Sequence, residues 1–386
     1  MVKSILAIVL SCAAGAIAQA PSADGQIVEV DLNAATSVTI HAASTRPADI
    51  AQQIAPDDIR FINPNARLDP VSLDAAGEPL LSALSKLCIA TGASPVQRTP
   101  HEALIMLEPQ GKSRSGRNSA QPSAGSLLSA PIAYSGPFAA ILTELNSSQQ
   151  LQVVKPEGEG GGDSNSSPTR NLSFSIALLA EPKVVIAAIV ANADIEEADD
   201  PEGANYATPN RADQNVSWNG YQQPPLYQFT AQVNNVPRQT QKLALLKGSL
   251  RVRAVKKYMI HELIPAEGKS QDIPVNDLTC VLLPLERQGA NQCRIRIKVP
   301  RAGQDDASWE SFRQMMRWSR AIATDAAGNR LSEGWRGADE SGDLTIHMIF
   351  NQPKSIGAPA RIIWQAPLEY EEITIPFEFK DLPIPY

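Results

Sequence analysis

The C-terminal two thirds of this chain is written twice. Leu243-Ala244-Leu245-Leu246, Leu250, Val252, Val255 and Met259 have counterparts about 118 residues further on, in Arg361-Ile362-Ile363-Trp364, Leu368, Tyr370, Ile373 and Phe377. A repeat made of strand patterns restricts the chain to folds assembled from two similar β units. The turns repeat with the strands. Asp199-Asp200-Pro201-Glu202-Gly203 and Asp325-Ala326-Ala327-Gly328-Asn329 each supply a carboxylate and a glycine where a strand must reverse. The repeated segments form cores and carry no cluster of reactive side chains, so the repeat bears on architecture and leaves chemistry open.

The expected fold class is α+β, a small strand-and-helix N-terminal domain followed by two tandem β-sandwich (Ig-like) domains. The length of 386 residues accommodates two or three domains of roughly 100–200 residues each. The divisions read as a leader over 1–18, the N-terminal domain over 19–110, a Gly-, Ser-, Gln- and Arg-rich linker over 111–130, and copies over 131–264 and 274–386. In the first copy, Phe138–Leu145, Leu172–Leu179, Val184–Val190, Tyr227–Val233 and Leu243–Leu263 read as strands. The Gly-, Ser- and Glu-rich run from Lys155 to Arg170 reads as disordered. The second copy runs from Leu278 through Cys293–Val299 and Leu344–Phe350 to Ala360–Phe379, with Trp309 and Met315–Trp318 predicting a short covering helix.

In the N-terminal domain, Val28, Val30 and Leu32 alternate with Glu29 and Asp31 as a first strand, and Ser37–His41 form a second. Ser44 or Thr45 is the expected cap of a helix with Pro47 in its first turn. Leu80, Leu84, Leu87 and Cys88 fall on one face of a second helix that Gly92 closes. The run IRFINPNARLDPVSLDAAGEPLLSALSKLCIATGASPVQRTPHEALIMLEP, residues 59–109 within a unit spanning 37–109, resembles the short N-terminal domain of secretins and TonB-dependent receptors. The resemblance implies a protein-interaction module of the cell envelope, with no catalytic residues to transfer. No secretin pore domain or receptor barrel pattern follows it. The terminal run Ile375-Pro376-Phe377-Glu378-Phe379-Lys380-Asp381-Leu382-Pro383-Ile384-Pro385 resembles the end of a family of secreted bacterial proteins with no assigned activity, and implies architecture only.

Met1-Val2-Lys3, the apolar stretch Ser4–Ile17 and the small residues Ala16-Ile17-Ala18 read as a secretory signal cleaved after Ala18, which makes the expected address secreted or periplasmic. No other run reaches the roughly 20 apolar residues that span a bilayer, so no transmembrane segment is expected. The net charge of −7 provides no footprint for nucleic acid. Beyond the leader, Cys88, Cys280 and Cys293 form an odd set. With Gly289 and Ala290 as a hairpin loop, Glu286 faces Cys293 and leaves Cys280 about 20 Å away, so free thiols are expected.

No His-Glu-x-x-His, Cys-x-x-Cys or Gly-x-Ser-x-Gly pattern occurs, and the expectation is a non-enzymatic protein without a cofactor. His347 reads as a solvent-facing strand residue. Six carboxylates crowd residues 194–202, and Asp194, Glu196, Asp199 and Asp200 are the candidate calcium ligands, although the spacing of a known calcium loop is missing. Trp218, Tyr221 and Tyr227 lie in an Asn-, Gln- and Pro-rich insertion and are the candidate aromatic contacts for a glycan. The functional expectation is an envelope interaction module and scaffold with a protein partner. The alternative is a carbohydrate- or calcium-binding adhesin-like protein.

Overall fold

The computed structural model describes residues 25–56, 58–61, 68–96, 105–109, 130–149, 169–190, 192–207, 217–218, 226–289, 291–301, 303–339, 342–353 and 356–385. The leader, the 111–129 linker, Tyr221 and most of the Lys155–Arg170 run lie outside these residues. What is described is β-rich, with several sheets and few helices. Among the described residues, no helix is long and apolar enough to cross a membrane.

The N-terminal elements are β1 (Gln26–Glu29), β2 (Ser37–Thr45), α1 (Pro47–Ile54), β3 (Ile59–Phe61), β4 (Val71–Pro79), α2 (Leu80–Thr91), β5 (Ala93–Val96) and β6 (Ile105–Pro109). The first copy contributes β7 (Ile132–Ser135), β8 (Phe138–Gln149), β9 (Thr169–Ala180), β10 (Ile186–Ile189), β11 (Asp194–Asp199), β12 (Ser217–Trp218), β13 (Leu226–Pro237) and β14 (Lys242–Leu263). The second contributes β15 (Gln271–Val275), β16 (Leu278–Leu282), β17 (Glu286–Arg287), β18 (Gln292–Val299), α3 (Asp306–Met316), β19 (Arg320–Thr324), β20 (Ser332–Asp339), β21 (Leu344–Asn351) and β22 (Arg361–Pro383).

The first copy has a four-stranded sheet, β7-β8-β9-β13, and the second a six-stranded one, β15-β16-β18-β21-β20 with β17 beside β18. The turns of the two copies agree in detail. Asp200 Oδ1 accepts from the amides of Glu202 and Ala204 at 3.0 and 2.9 Å, and Asp325 Oδ1 from those of Ala327 and Asn329 at 2.9 and 2.8 Å. Gly203 and Gly328 hold the left-handed position of each turn, at φ +87° and +83°.

The last strands of the copies pair with each other. β14 and β22 run antiparallel from Lys242↔Pro383 to Leu263↔Ile362. Cross-strand ion pairs along this ribbon, Arg253–Glu372 at 3.7 Å, Lys256–Glu371 at 3.0 Å and Lys257–Glu369 at 3.3 Å, favour this register over a slip.

Register shifts at Val255, Lys257 and Tyr258 change the phase of the ribbon, and a change of phase by one residue turns a strand's other face inward. Leu250, Val252 and Ala254 of β14 meet Ile373, Ile375, Phe377 and Phe379 of β22 in a core with the β7-β8-β9-β13 sheet. Beyond the shift, Met259 and Leu263 join Ile362, Trp364 and Ala366 in a second core with the six-stranded sheet. Each long strand thus belongs to both cores, and the sequence boundary between the copies does not separate them.

The N-terminal unit forms two small sheets, β2-β4 and β3-β6-β5. Its core continues into Ala139, Ile141, Ala177 and Leu179 on the outer face of the four-stranded sheet. Glu181, 1% exposed, locks the junction by accepting from the Thr36 amide at 2.9 Å and the Thr36 hydroxyl at 2.6 Å. β1 leaves the unit altogether and pairs with β14, Gln26 opposite Ile260. The helices otherwise follow their patterns. α1 begins after Arg46 without a side-chain cap, unlike the Ser44 or Thr45 cap expected, and Gly92 closes α2 at φ +63°. Asp305 caps α3 through the amides of Ala307 and Ser308, and the helix buries Trp309 and Met316.

Candidate functional site

The acidic residues 194–200 lie on a strand and its turn, where the sequence pattern had placed a loop. Alternation along β11 directs Asp194 and Glu196 outward and buries Ile195 and Ala198. Lys247 on the neighbouring β14 draws in Glu197 at 2.9 Å and Glu196 at 3.7 Å. Asp200 faces its own turn, where Tyr206 and two backbone amides donate to it and hold its carboxyl below the usual range. Asp194 and Glu196 thus point outward along the strand, Asp199 ends it, and Asp200 is turned into the loop beyond it. Among the described residues, no group of three or more His, Cys, Asp or Glu side chains is arranged to hold a metal ion.

The candidate aromatics divide. The backbone of Trp218 pairs with Ala188 as part of β12, and Tyr221 is outside the described residues. Tyr227 is buried, 5% exposed, and its hydroxyl donates to the Ile186 carbonyl at 3.3 Å. Its expected role as an exposed ligand contact is corrected to a core role, because the alternation of β13 points Tyr227, Phe229, Ala231 and Val233 inward together.

Sequence patterning passed over a different surface, the outer face of the six-stranded sheet. β18 buries Cys293, Ile295, Ile297 and Val299 and turns Arg294, Arg296 and Lys298 outward. β21 buries Leu344, Ile346, Met348 and Phe350 and leaves His347, Ile349 and Asn351 half-buried on the same outer side. The ladders align these residues in rows: Arg296, His347 and Gly337; Arg294, Ile349 and Trp335; Gln292, Asn351 and Ser332.

A bulge on β20 decides how Trp335 is presented. In an unbroken strand Glu333 and Arg336, three apart, would face opposite ways. The bulge between Glu333 and Trp335 turns both inward, where Arg336 Nε and Nη2 form a two-pronged pair with Glu333 at 2.7 and 2.8 Å, and Arg336 also donates to the Ser319 carbonyl. Trp335 is left facing out, 50% exposed. Its indole lies over Gly337, close enough that a Cβ there would stand 2.2 Å from the ring. The short motif Glu333-Gly334-Trp335-Arg336-Gly337, a tryptophan between two glycines, was the available sequence signal.

At the Asn351 end of this face lies a cleft of about 670 Å³. Its polar lining is Gln288, Asn291, Gln292, Arg330, Ser332 and Asn351, with Pro353 and Ile356 as an apolar wall. Gln292 Nε2 donates to Asn351 Oδ1 at 3.1 Å, which orients the two amides toward each other. Nearby, Arg294 and Arg296 share Glu286 at 3.5 and 3.8 Å, and Lys298 pairs with Asp343 at 2.9 Å. Partial burial, with Arg294 and Arg296 adjacent, lowers the His347 pKa and keeps the ring neutral at neutral pH.

Cys88, Cys280 and Cys293 are free and buried. Cys293 lies opposite Arg287, one residue from the register expected, and Cys280 lies on the adjacent β16, where Leu282 faces Ile297, so the two cysteines are several residues apart along the neighbouring strands. Burial pushes the Cys88 and Cys280 thiols up to about 12 and Cys293 to about 11, which suppresses the nucleophilic thiolate. Comparison of the chain with protein-family models, curated proteins and solved structures finds no match.

Proposed function

We propose that this chain is a non-enzymatic protein of the cell envelope or extracellular space, an α+β interaction module carried on a scaffold of two tandem β-sandwich units. The observation that carries this reading is the ribbon of β14 and β22. Each strand has more than twenty residues, about 70 Å at 3.3 Å per residue, and supplies side chains to both large cores. The units cannot part without stripping a strand pair out of both cores at once. A body built this way holds whatever binds its surfaces at fixed spacing, as a scaffold must. The signal-like residues 1–18 support an exported address, and the resemblance of residues 37–109 to an envelope interaction domain supports a protein partner.

The test is expression in a Gram-negative host, with fractionation, intact-mass measurement and cross-linking in the envelope. The expected result is a chain that begins at Gln19, sits in the envelope or medium, and cross-links to a protein through residues 37–109. A full-length chain confined to the cytosol would refute the address, and turnover of a polysaccharide or ester by the purified chain would refute the non-enzymatic reading. A carbohydrate-binding, adhesin-like reading is favoured by a specific observation of its own, the exposed indole beside an amide-lined cleft. The calcium form of that alternative has no comparable support: Glu196 is drawn to Lys247, Asp200 is bound within its own turn, and no three of the described carboxylates converge.

A further inference from the structure

We propose that the outer face of the six-stranded sheet around Trp335 binds a saccharide. A pyranose ring stacks on the indole, and its hydroxyls are met by the amides of Gln292 and Asn351 and by Arg294. This inference is independent of the scaffold reading, which concerns the ribbon and the N-terminal unit.

The argument begins with the indole. A tryptophan that is 50% exposed leaves a large apolar surface in water, and the far end of its ring, Cη2 and Cζ2, is seated against Gly337. Such a surface suits a ligand that is itself flat and apolar on one side. A pyranose has that form, since its axial C–H bonds make one face apolar and slightly positive, matched to the negative face of the ring, while its hydroxyls project from the rim. The rim requires groups that both donate and accept, and side-chain amides do both. Gln292 and Asn351 supply two, already oriented by their mutual hydrogen bond, one same-face step of about 7 Å from the Trp335 row.

The surroundings argue against other ligands. A protein interface centres on a contiguous apolar patch, yet the other exposed large apolar side chains among the described residues, Ile27, Ile89, Tyr134 and Ile264, all lie off this face. A phosphate-bearing ligand requires uncommitted positive charge, yet Arg294 and Arg296 are both drawn to the carboxylate of Glu286, and Lys298 is held by Asp343. What remains is an isolated aromatic platform beside charges that are already engaged. From the Asn351 row to the His347 row the face extends about 13 Å, enough for a short oligosaccharide.

The experiment is titration calorimetry of the full chain with three hexasaccharides: maltohexaose for neutral hexoses, chitohexaose for N-acetylated amino sugars and hexaguluronate for acidic sugars. Binding of at least one is expected. For that sugar, Trp335→Ala should weaken affinity about tenfold or more, whereas Trp335→Phe, which keeps an aromatic face, should lose only about threefold. Gly337→Ala tests placement, because it retains the indole but pushes it off its seat. It should weaken binding nearly as much as Trp335→Ala, with the melting temperature unchanged. The proposal is overturned if none of the three sugars binds, or if Trp335→Ala and Gly337→Ala both bind as the parent does.

Discussion

Phe379→Ala tests whether the shared ribbon makes the two cores one cooperative unit. Phe379 is 2% exposed in the first core and stacks on Phe377 with ring centroids 5.3 Å apart. Truncating a buried phenylalanine costs about 3–5 kcal/mol, and about 4 kcal/mol serves here because the strand pairing on both sides leaves little room to collapse into the cavity. How that cost appears on heating depends on what unfolds together. At about 2.1 cal/mol/K per residue, a unit of roughly 250 residues has an unfolding entropy near 0.5 kcal/mol/K, and the midpoint falls by about 8 °C. A single copy of roughly 125 residues would have half that entropy, and its own midpoint would fall by about 15 °C while the other stayed in place. Differential scanning calorimetry distinguishes the two. The ribbon predicts one shifted endotherm spanning both copies, and Trp364→Ala, buried in the second core on the same strand, should move the same endotherm. Two endotherms, each answering to only one of these substitutions, would refute the coupling.

Three further outcomes follow from the structure. The Asp325 carboxyl is held down to about 2, chiefly by the Asn329 side-chain amide and then by the Gly357 amide. A carboxyl depressed by folding contributes stability that is complete above its ordinary value of 3.8 and disappears as pH falls through about 2, so the melting point should drop across that interval, and less steeply in Asp325→Asn. Equal slopes in the two proteins would disprove it. Gly248→Ala should destabilise the chain by about 1–3 kcal/mol in a denaturant titration, since a Cβ there would stand 2.1 Å from the Asp194 carbonyl, and an unchanged midpoint would mean β11 does not pack there as described. Alkylation at about pH 8 should spare Cys88, Cys280 and Cys293 in the folded chain and label all three after unfolding without reductant. A result of one labelled thiol would mean a disulfide joins the other two.

Much of the architecture was legible because strand alternation is local. The inward parity of Cys293, Ile295, Ile297 and Val299 could be read directly, as could the helix faces of α2 and the paired Asp–Gly turns. The candidate site was not legible by the same means. Tyr227 sits where the insertion meets a strand and belongs to the inward row of β13, and the acidic run looks like a ligand loop but alternates along β11 beside Lys247. Trp335 drew no notice because its exposure depends on a bulge, and the bulge is held by a buried pair between Glu333 and Arg336.

By itself the sequence determined the β-rich character, the strand faces and the turn chemistry, all set by contacts within a few residues along the chain. The tertiary structure alone decided that the final strands of the copies pair with each other, that β1 leaves its own unit for β14, and that the N-terminal core closes against the four-stranded sheet. The reason lies in what a strand's pattern contains. Alternation specifies which side chains must be covered, but many apolar surfaces could cover them. The choice among those surfaces is made by long-range register, by the bulges that change the phase of the ribbon, and by single buried contacts such as Glu181 with Thr36.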